Sequence, residues 1–281
     1  MTTGGFTAWS ALGRAVGSLR LGDHVCCWYR DDEVRTRAVA AYVAAGLRHG
    51  DRTVYFTDTV PVADVLAGLR RFGVPATAWE SGQVRVVTAA ETYLAGGGFD
   101  PVATIEGWAG ETARARADGY RGLRAIGDMA WAARPVPGVD RLPWYEAAVN
   151  RVFAEGHSGA MCLYDERTLG PEQRRALTAA HPANVEAAEH WAPALRMSRG
   201  PGRMTLAGEV DVANRDAVAA LLEHVCAETD GPVTVDVTGL RFVDAVTARL
   251  LARAAAGRPG GVRVVGASPL LTRLIEAGTA G

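Results

Sequence analysis

A handful of side chains in this sequence have the types and spacing to do chemistry. His24 and Cys26 stand two apart in HVCCWY (24–29), and Tyr29 closes that run. Asp128 and Trp131 follow an apolar run ending at Gly127. Tyr145 and Glu146 sit in WYEAAVN, Cys162, Tyr164 and Asp165 in CLYDER, and His181 stands before Pro182. Aromatic walls with a few convergent polar groups suit a small organic ligand. His24, Cys26, Cys162 and His181 are also residue types that bind zinc. Their spacing matches no local zinc motif, so no metal is expected. Cys26 and Cys27 make a poor redox pair, because neighbours on a strand point to opposite faces and a vicinal disulfide is strained. Plainer roles stand beside these. Cysteines in apolar strands are commonly just buried, and Trp131 and Tyr145 serve equally well as core. His181 would suit a helix C-terminus and Glu146 a helix N-terminus.

The same residues argue against an enzyme. A phosphate-cradling loop needs G-x-x-x-x-G-K-[ST] after the first strand. Here HVCCWY is followed by Arg30-Asp31-Asp32-Glu33, which lacks glycine and repels a triphosphate. All 30 basic residues are arginine, which removes Schiff-base lysine chemistry and lysine-dependent phosphate binding. No Ser-His-Asp order, nucleophile elbow or paired-carboxylate pattern is present. No catalytic residue and no cofactor is therefore expected. The formal net charge of −1 gives no reason to expect nucleic acid or a membrane as partner. No apolar run reaches the roughly 18 residues of a membrane helix, and residues 1–21 lack the apolar stretch of a signal peptide. Four unevenly placed cysteines do not make a secreted disulfide framework, so a cytoplasmic protein is expected.

The elements that must position these residues follow from periodicity. Apolar runs at 24–29, 53–57, 84–88, 122–127 and 159–164 read as buried parallel strands. Helical patterns alternate with them: Asp31 or Asp32 to Gly50, Pro61 to Gly73, 101–118, 143–155 and 171–181. Strand and helix repeated argue for an α/β fold with a parallel sheet between helices. Residues 186–196 read as a further helix. Ser198-Arg199-Gly200-Pro201-Gly202 is turn-rich punctuation. Beyond it the pattern restarts, with strands at 203–210, 232–237 and 262–265 and helices at 213–228, 246–256 and 269–277. The expected organisation is an N-terminal segment (1–20), a first domain (21–195), a linker (196–202) and a smaller α/β domain (203–281).

Two resemblances can be put on these residues. GDHVCCWY (22–29), AAGLRHGDRTVYFT (44–57), YLAGGGFDP (93–101), GLRAIGDMAW (122–131), WYEAAVN (144–150), CLYDER (162–167) and the His181-Pro182 pair together resemble the MEDS domain, the methanogen and methylotroph sensory domain. That resemblance implies a RecA-like sheet without a P-loop, used to sense a small hydrocarbon derivative and joined to an output module. Open α/β sheets bind ligands at the carboxyl ends of their strands, a rule that nominates His24, Cys26, Tyr29, Asp128, Trp131, Tyr145, Glu146, Cys162, Tyr164, Asp165 and His181.

LAGEVD (206–211), VDVTGLRFVDA (235–245), VRVVGAS (262–268) and SPLLTRLIEAG (268–278) resemble STAS domains, the fold of anti-sigma-factor antagonists. That resemblance implies an anti-sigma factor or related regulatory protein as partner, with homo-oligomers left open. It places the partner face at Asp211, Asp244, Ala245, Val246 and Thr247. In that family a serine at the helix start is phosphorylated and breaks the complex. Here Ala245 holds that position, so the phospho-switch is expected to be lost. Thr247 is read as a first-turn hydroxyl bonded to nearby backbone rather than as a substitute acceptor.

Overall fold

The computed structural model describes residues 13–185, 194–257 and 260–279. Six strands form the first sheet: β1 (His24–Tyr29), β2 (Arg52–Thr57), β3 (Val84–Thr88), β4 (Leu123–Asp128), β5 (Ser158–Asp165) and β6 (Ala183–Val185). Their order is β3-β2-β4-β5-β1-β6, and every pairing is parallel. Helices α1 (Asp32–His49), α2 (Val62–Arg71), α3 (Thr77–Glu80), α4 (Pro101–Ala117), α5 (Leu142–Ala148), α6 (Asn150–Phe153) and α7 (Pro171–Ala179) connect the strands. Parallel strands need such crossovers, and covering both faces leaves the strands apolar along their whole length. Helix α1 is bounded as its ends dictate. Asp31 caps it by accepting from the Glu33 and Val34 amides, and Gly50 ends it at φ 71°. Within α1, Gly46 lets the helix approach the sheet, since a Cβ there would lie 2.7 Å from Thr53 Oγ1.

Period-2 alternation divides the interior into two layers. Cys26, Trp28, Ala125, Ala160, Cys162 and Tyr164 face α4 to α7, where Trp108, Tyr145 and Phe153 complete the core. Val25, Cys27, Tyr29, Ile126, Met161 and Leu163 face α1, α2 and α3. Between α1 and the sheet lies a buried ion pair. Arg124 Nε donates to Asp51 Oδ2 at 2.7 Å, and both side chains are fully buried.

The second sheet holds β7 (Leu195–Gly200), β8 (Arg203–Val210), β9 (Val233–Val243) and β10 (Val262–Val265) in the order β10-β9-β8-β7. Helices α8 (Arg215–Ala227), α9 (Ala245–Gly257) and α10 (Pro269–Thr279) pack on it. The stretch expected as a linker is instead part of this domain. Leu195–Gly200 pairs antiparallel with β8, and Pro201-Gly202 is the two-residue turn between them, with Gly202 at φ 59°. Proline and glycine mark a tight turn as readily as a tether. The helix expected over 186–196 falls mostly outside the described residues, and its end, Leu195 and Arg196, is strand. The helix expected at 143–155 is broken at Val149 into α5 and α6. There the Asn150 side chain donates to the Glu146 and Ala147 carbonyls at 2.9 and 3.0 Å, competing with the backbone ladder.

The two domains share an interface. Helices α5, α6 and α7 pack against α8, and Ala154 belongs to the second domain's core. Arg199 N donates to Ala154 O at 2.8 Å, and Arg196 pairs with Asp23 at 3.0 Å. Asn214 Nδ2 donates to Pro182 O at 3.2 Å.

Candidate functional site

The eleven residues expected to share one pocket are split by the sheet. His24, Cys26, Tyr145, Glu146, Cys162, Tyr164 and His181 lie on the α4 to α7 side, with Trp131 in the same core. Tyr29, Asp128 and Asp165 lie on the α1 side at the carboxyl edge. Strand parity accounts for the division. Tyr29 is five residues from His24 on β1, an odd step, and so points the other way. His24 also stands at the amino end of β1, not at the carboxyl end where open α/β sheets bind ligands.

On the first side, four buried ligand-type atoms converge. They are contributed by His24, Glu146, Cys162 and His181, and all lie within 4.8 Å of one another. Glu146 Oε2 is 3.3 Å from His24 Nε2 and 3.4 Å from His181 Nε2. Cys162 Sγ is 3.4 Å from His24 Nε2 and 3.7 Å from Glu146 Oε2. Tyr164 OH donates to the other Glu146 oxygen at 2.6 Å. The outer nitrogens are engaged too: His24 Nδ1 lies 3.0 Å from Asn150 Oδ1 and His181 Nδ1 2.7 Å from Leu177 O. Burial and His181 push the His24 imidazole below its ordinary range. Burial pushes Glu146 up, but His181 and His24 outweigh it and keep the carboxylate ionised. Burial, then Glu146, raises the Cys162 thiol. Cys26 sits opposite Cys162 in the strand register yet is not among the converging groups.

At the carboxyl edge, Asp128 is fully buried and accepts from Ala130 N, Asp58 N and Thr59 N at 3.2 to 3.4 Å. Arg35 Nη1 lies 4.0 Å away. Asp165 is tied to Arg167 at 2.7 Å. The Asp31 carboxylate occupies the N-terminus of α1, where a P-loop would seat phosphate.

A groove of about 460 Å³ opens beside the carboxyl end of β2, between residues 92–100 and α4. Phe56, Tyr93 and Trp108 form its aromatic wall, and Gly96, Gly98 and Gly107 leave the space. Trp108 Nε1 donates to Tyr145 OH at 2.9 Å, so Tyr145 on α5 backs the wall rather than lining the groove. Trp131 is fully buried core, stacked 4.9 Å from Phe99. None of these groove residues is among the eleven expected ligand residues, although YLAGGGFDP (93–101) carries the signal, three adjacent glycines between aromatics.

In the second domain, Asp244 Oδ1 accepts from Thr247 N at 2.7 Å, the bond of an N-cap, and Oδ2 accepts from Arg215 at 2.5 Å. Burial pushes the Asp244 carboxyl up, but the Thr247 amide and Arg215 pull it further down. Ala245 and Val246 are exposed, and Phe242 and Val212 add apolar surface at the same sheet end. Asp211 is exposed and accepts from Ala213 N at 2.8 Å. Thr247 is fully buried, and among the described residues its hydroxyl makes no bond to backbone, which corrects the expected backbone bond.

Residues 23–182 match the family profile described as MEDS: MEthanogen/methylotroph, DcmR Sensory domain. The chain belongs to the MEDS family. Residues 194–279 match the profile described as Mlab, STAS domain. The MEDS domain thus carries both the buried cluster and the groove, and it is joined directly to a STAS domain. A sensory domain joined to a STAS domain makes this a signalling protein. Among solved structures, the flagellar accessory protein FlaH from Methanocaldococcus jannaschii is similar at 12% identity. That match has a TM-score of 0.43 and covers 73% of this chain and 85% of that one. No curated protein matches the sequence. Among the described residues, no helix is long and apolar enough to cross a membrane.

Proposed function

We propose that this protein is a non-enzymatic sensor, in which the MEDS domain takes a small organic ligand in the Phe56–Tyr93–Trp108 groove and sets the partner-binding state of the STAS domain. The observation that supports it is the contact chain from the groove to the start of α9 in the STAS domain. Trp108 bonds Tyr145 on α5, α5 packs on α8, and Arg215 at the start of α8 bonds Asp244 at the start of α9. The groove suits a small, largely apolar molecule with a polar group, since its wall is aromatic and Thr92, Asp100, Thr104, Glu111 and Arg114 also line it.

The partner is an anti-sigma factor or a related regulatory protein, docking on Val212, Phe242, Ala245 and Val246. This exchange runs without phosphorylation. Ala245 offers no hydroxyl, and the Thr247 hydroxyl is sealed in the core. Hydrogen exchange on the full chain tests the reading, with short-chain alcohols and chloroalkanes as probes. The expected result is protection at 92–108 together with altered exchange at 211–215 and 244–248. Protection confined to the first domain overturns the coupling. If no probe alters exchange or melting, the sensing reading falls and a scaffold remains.

A further inference from the structure

We propose that His24, Glu146, Cys162 and His181 form a closed tetrahedral site for a divalent transition metal of the zinc type. This site is separate from the groove and stands whether or not the groove takes a ligand.

The geometry of the four groups carries the proposal. A tetrahedral zinc ion with bonds of about 2.0–2.3 Å has ligand-to-ligand edges of roughly 3.3–3.6 Å. Four of the six edges are 3.3, 3.4, 3.4 and 3.7 Å, and the other two, from His181 Nε2 to His24 Nε2 and to Cys162 Sγ, are within 4.8 Å. Some of these contacts are hydrogen bonds of the Cys162 thiol, but a thiol, two ring nitrogens and a carboxylate oxygen from four separate elements all converge within 4.8 Å of one another.

The outer contacts fix which atoms face that point. The Asn150 amide nitrogen donates to the carbonyls of Glu146, Ala147 and Ala180, so its oxygen must turn to His24. His24 Nδ1 therefore carries the hydrogen, and its Nε2 presents a lone pair inward. His181 Nδ1 likewise donates to Leu177 O, which leaves its Nε2 inward. That Nε2 is fully buried, and among the described residues its nearest acceptor, a Glu146 oxygen, lies 3.4 Å away, an ion-pair distance without good hydrogen-bond geometry. An imidazolium aligned for an ion pair would donate to that oxygen. An imidazole that donates its outer N–H to a carbonyl while aiming its inner nitrogen at a shared point is arranged as a metal ligand.

Charge and softness select the metal. One carboxylate and one thiolate cancel the two positive charges of a divalent ion, so the occupied site is neutral and tolerates complete burial. Binding replaces the Cys162 S–H bond by a metal–sulfur bond, and the proton leaves to solvent. Two imidazoles, one thiolate and one carboxylate favour zinc over magnesium or calcium. All four positions are taken by the protein, as in structural rather than catalytic sites. The ligands come from β1, α5, β5 and the turn after α7, so the ion would clamp α5 and the His181-Pro182 turn to the sheet. Both of those elements touch the STAS domain.

The test uses the full chain purified with zinc in the medium and dialysed against a chelator, followed by elemental analysis. One zinc per chain is expected. Replacement by cobalt(II) should give the visible bands of a tetrahedral ion and a near-ultraviolet thiolate-to-cobalt band. Cys162→Ser should lose the thiolate band and bind at least 100-fold more weakly, while Cys226→Ser, remote from the site, keeps both. Wild type without stoichiometric metal after growth in zinc, or a cobalt complex without a thiolate band, overturns the proposal without recourse to any variant. An unchanged cobalt spectrum in Cys162→Ser overturns it as well, by placing the ion elsewhere.

Discussion

Replacing Gly107 by leucine separates folding from ligand binding, because the two effects have opposite signs. Gly107 lies inside α4 and lines the groove. A Cβ built there meets nothing within 4 Å, and the residue has no positive φ, so a larger side chain enters without strain. Glycine in a helix interior costs about 0.8–1 kcal/mol relative to alanine, and leucine is nearly as good a helix former. The variant should thus gain roughly 0.7 kcal/mol, a rise in melting temperature of about 2 °C for a domain of this size. The added isobutyl group projects into a space of about 460 Å³ walled by Phe56, Tyr93 and Trp108. A ligand seated there should lose at least tenfold in Kd, about 1.4 kcal/mol. Scanning fluorimetry reads the first effect, and titration of the tightest chloroalkane or alcohol, followed by tryptophan fluorescence, reads the second. Gly107→Ala is the control, with the stability gain and a smaller loss of binding. Unchanged binding in a leucine variant whose melting temperature has risen would refute the assignment of the groove.

Three further outcomes follow from the structure. Arg124→Met removes the fully buried partner of Asp51, while Arg121 still bonds the carboxylate at 2.9 Å, so the cost should be about 1.5–3 kcal/mol, that of a charged hydrogen bond; the loss in urea midpoint should shrink in an Arg124→Met, Asp51→Leu double variant. Burial raises the Asp128 carboxyl, so the folded state binds its proton more readily than the unfolded chain. Wild type should therefore gain stability relative to Asp128→Asn as pH falls from 7 through the raised folded value towards about 3.9, read from urea midpoints at each pH. Ala245→Asp places a charge at a helix start, which should stabilise α9 by about 0.3–1 kcal/mol; it should also abolish binding to any anti-sigma factor of the same genome that the wild type captures, measured by surface-immobilised titration.

Much of the architecture was legible because buried parallel strands announce themselves as apolar runs. Strands β1, β3, β8 and β10 carry the bounds that periodicity assigns. Strand β6 has only three residues, too few to show a period. Strand β7 was hidden because Pro201-Gly202 reads equally as a tether or a hairpin turn. The site residues were legible by type but not by grouping. His24 and Tyr29 share one strand and were assigned one pocket, although their odd spacing puts them on opposite faces. The buried cluster draws on four separate elements, so no local spacing could reveal it. Glu146 completes it where Cys26 was expected, because the helix over the sheet brings a carboxylate closer than the neighbouring strand brings a second thiol.

Helix α5 takes part in every feature that bears on function. Tyr145 backs the groove wall, Glu146 stands in the buried cluster, and the helix packs on α8 of the STAS domain. It has seven residues and is cut off from α6 by the Asn150 side-chain bonds. A helix so short has no stability of its own and takes its position from what it packs against. That makes it suitable as a moving part. In the proposed function, a ligand in the groove would shift Tyr145 on α5 about the Glu146 anchor, and the shift would reach α8, where Arg215 holds the Asp244 cap of α9. Ala245 offers no hydroxyl to phosphorylate, and the proposed control is a mechanical input through α8. A signal carried this way must be bistable, with α5 in two packed positions. Relaxation-dispersion measurements on Ala147 and Ala148 methyls should therefore show exchange that is suppressed when the groove is filled, and a rigid α5 under both conditions would exclude the mechanism.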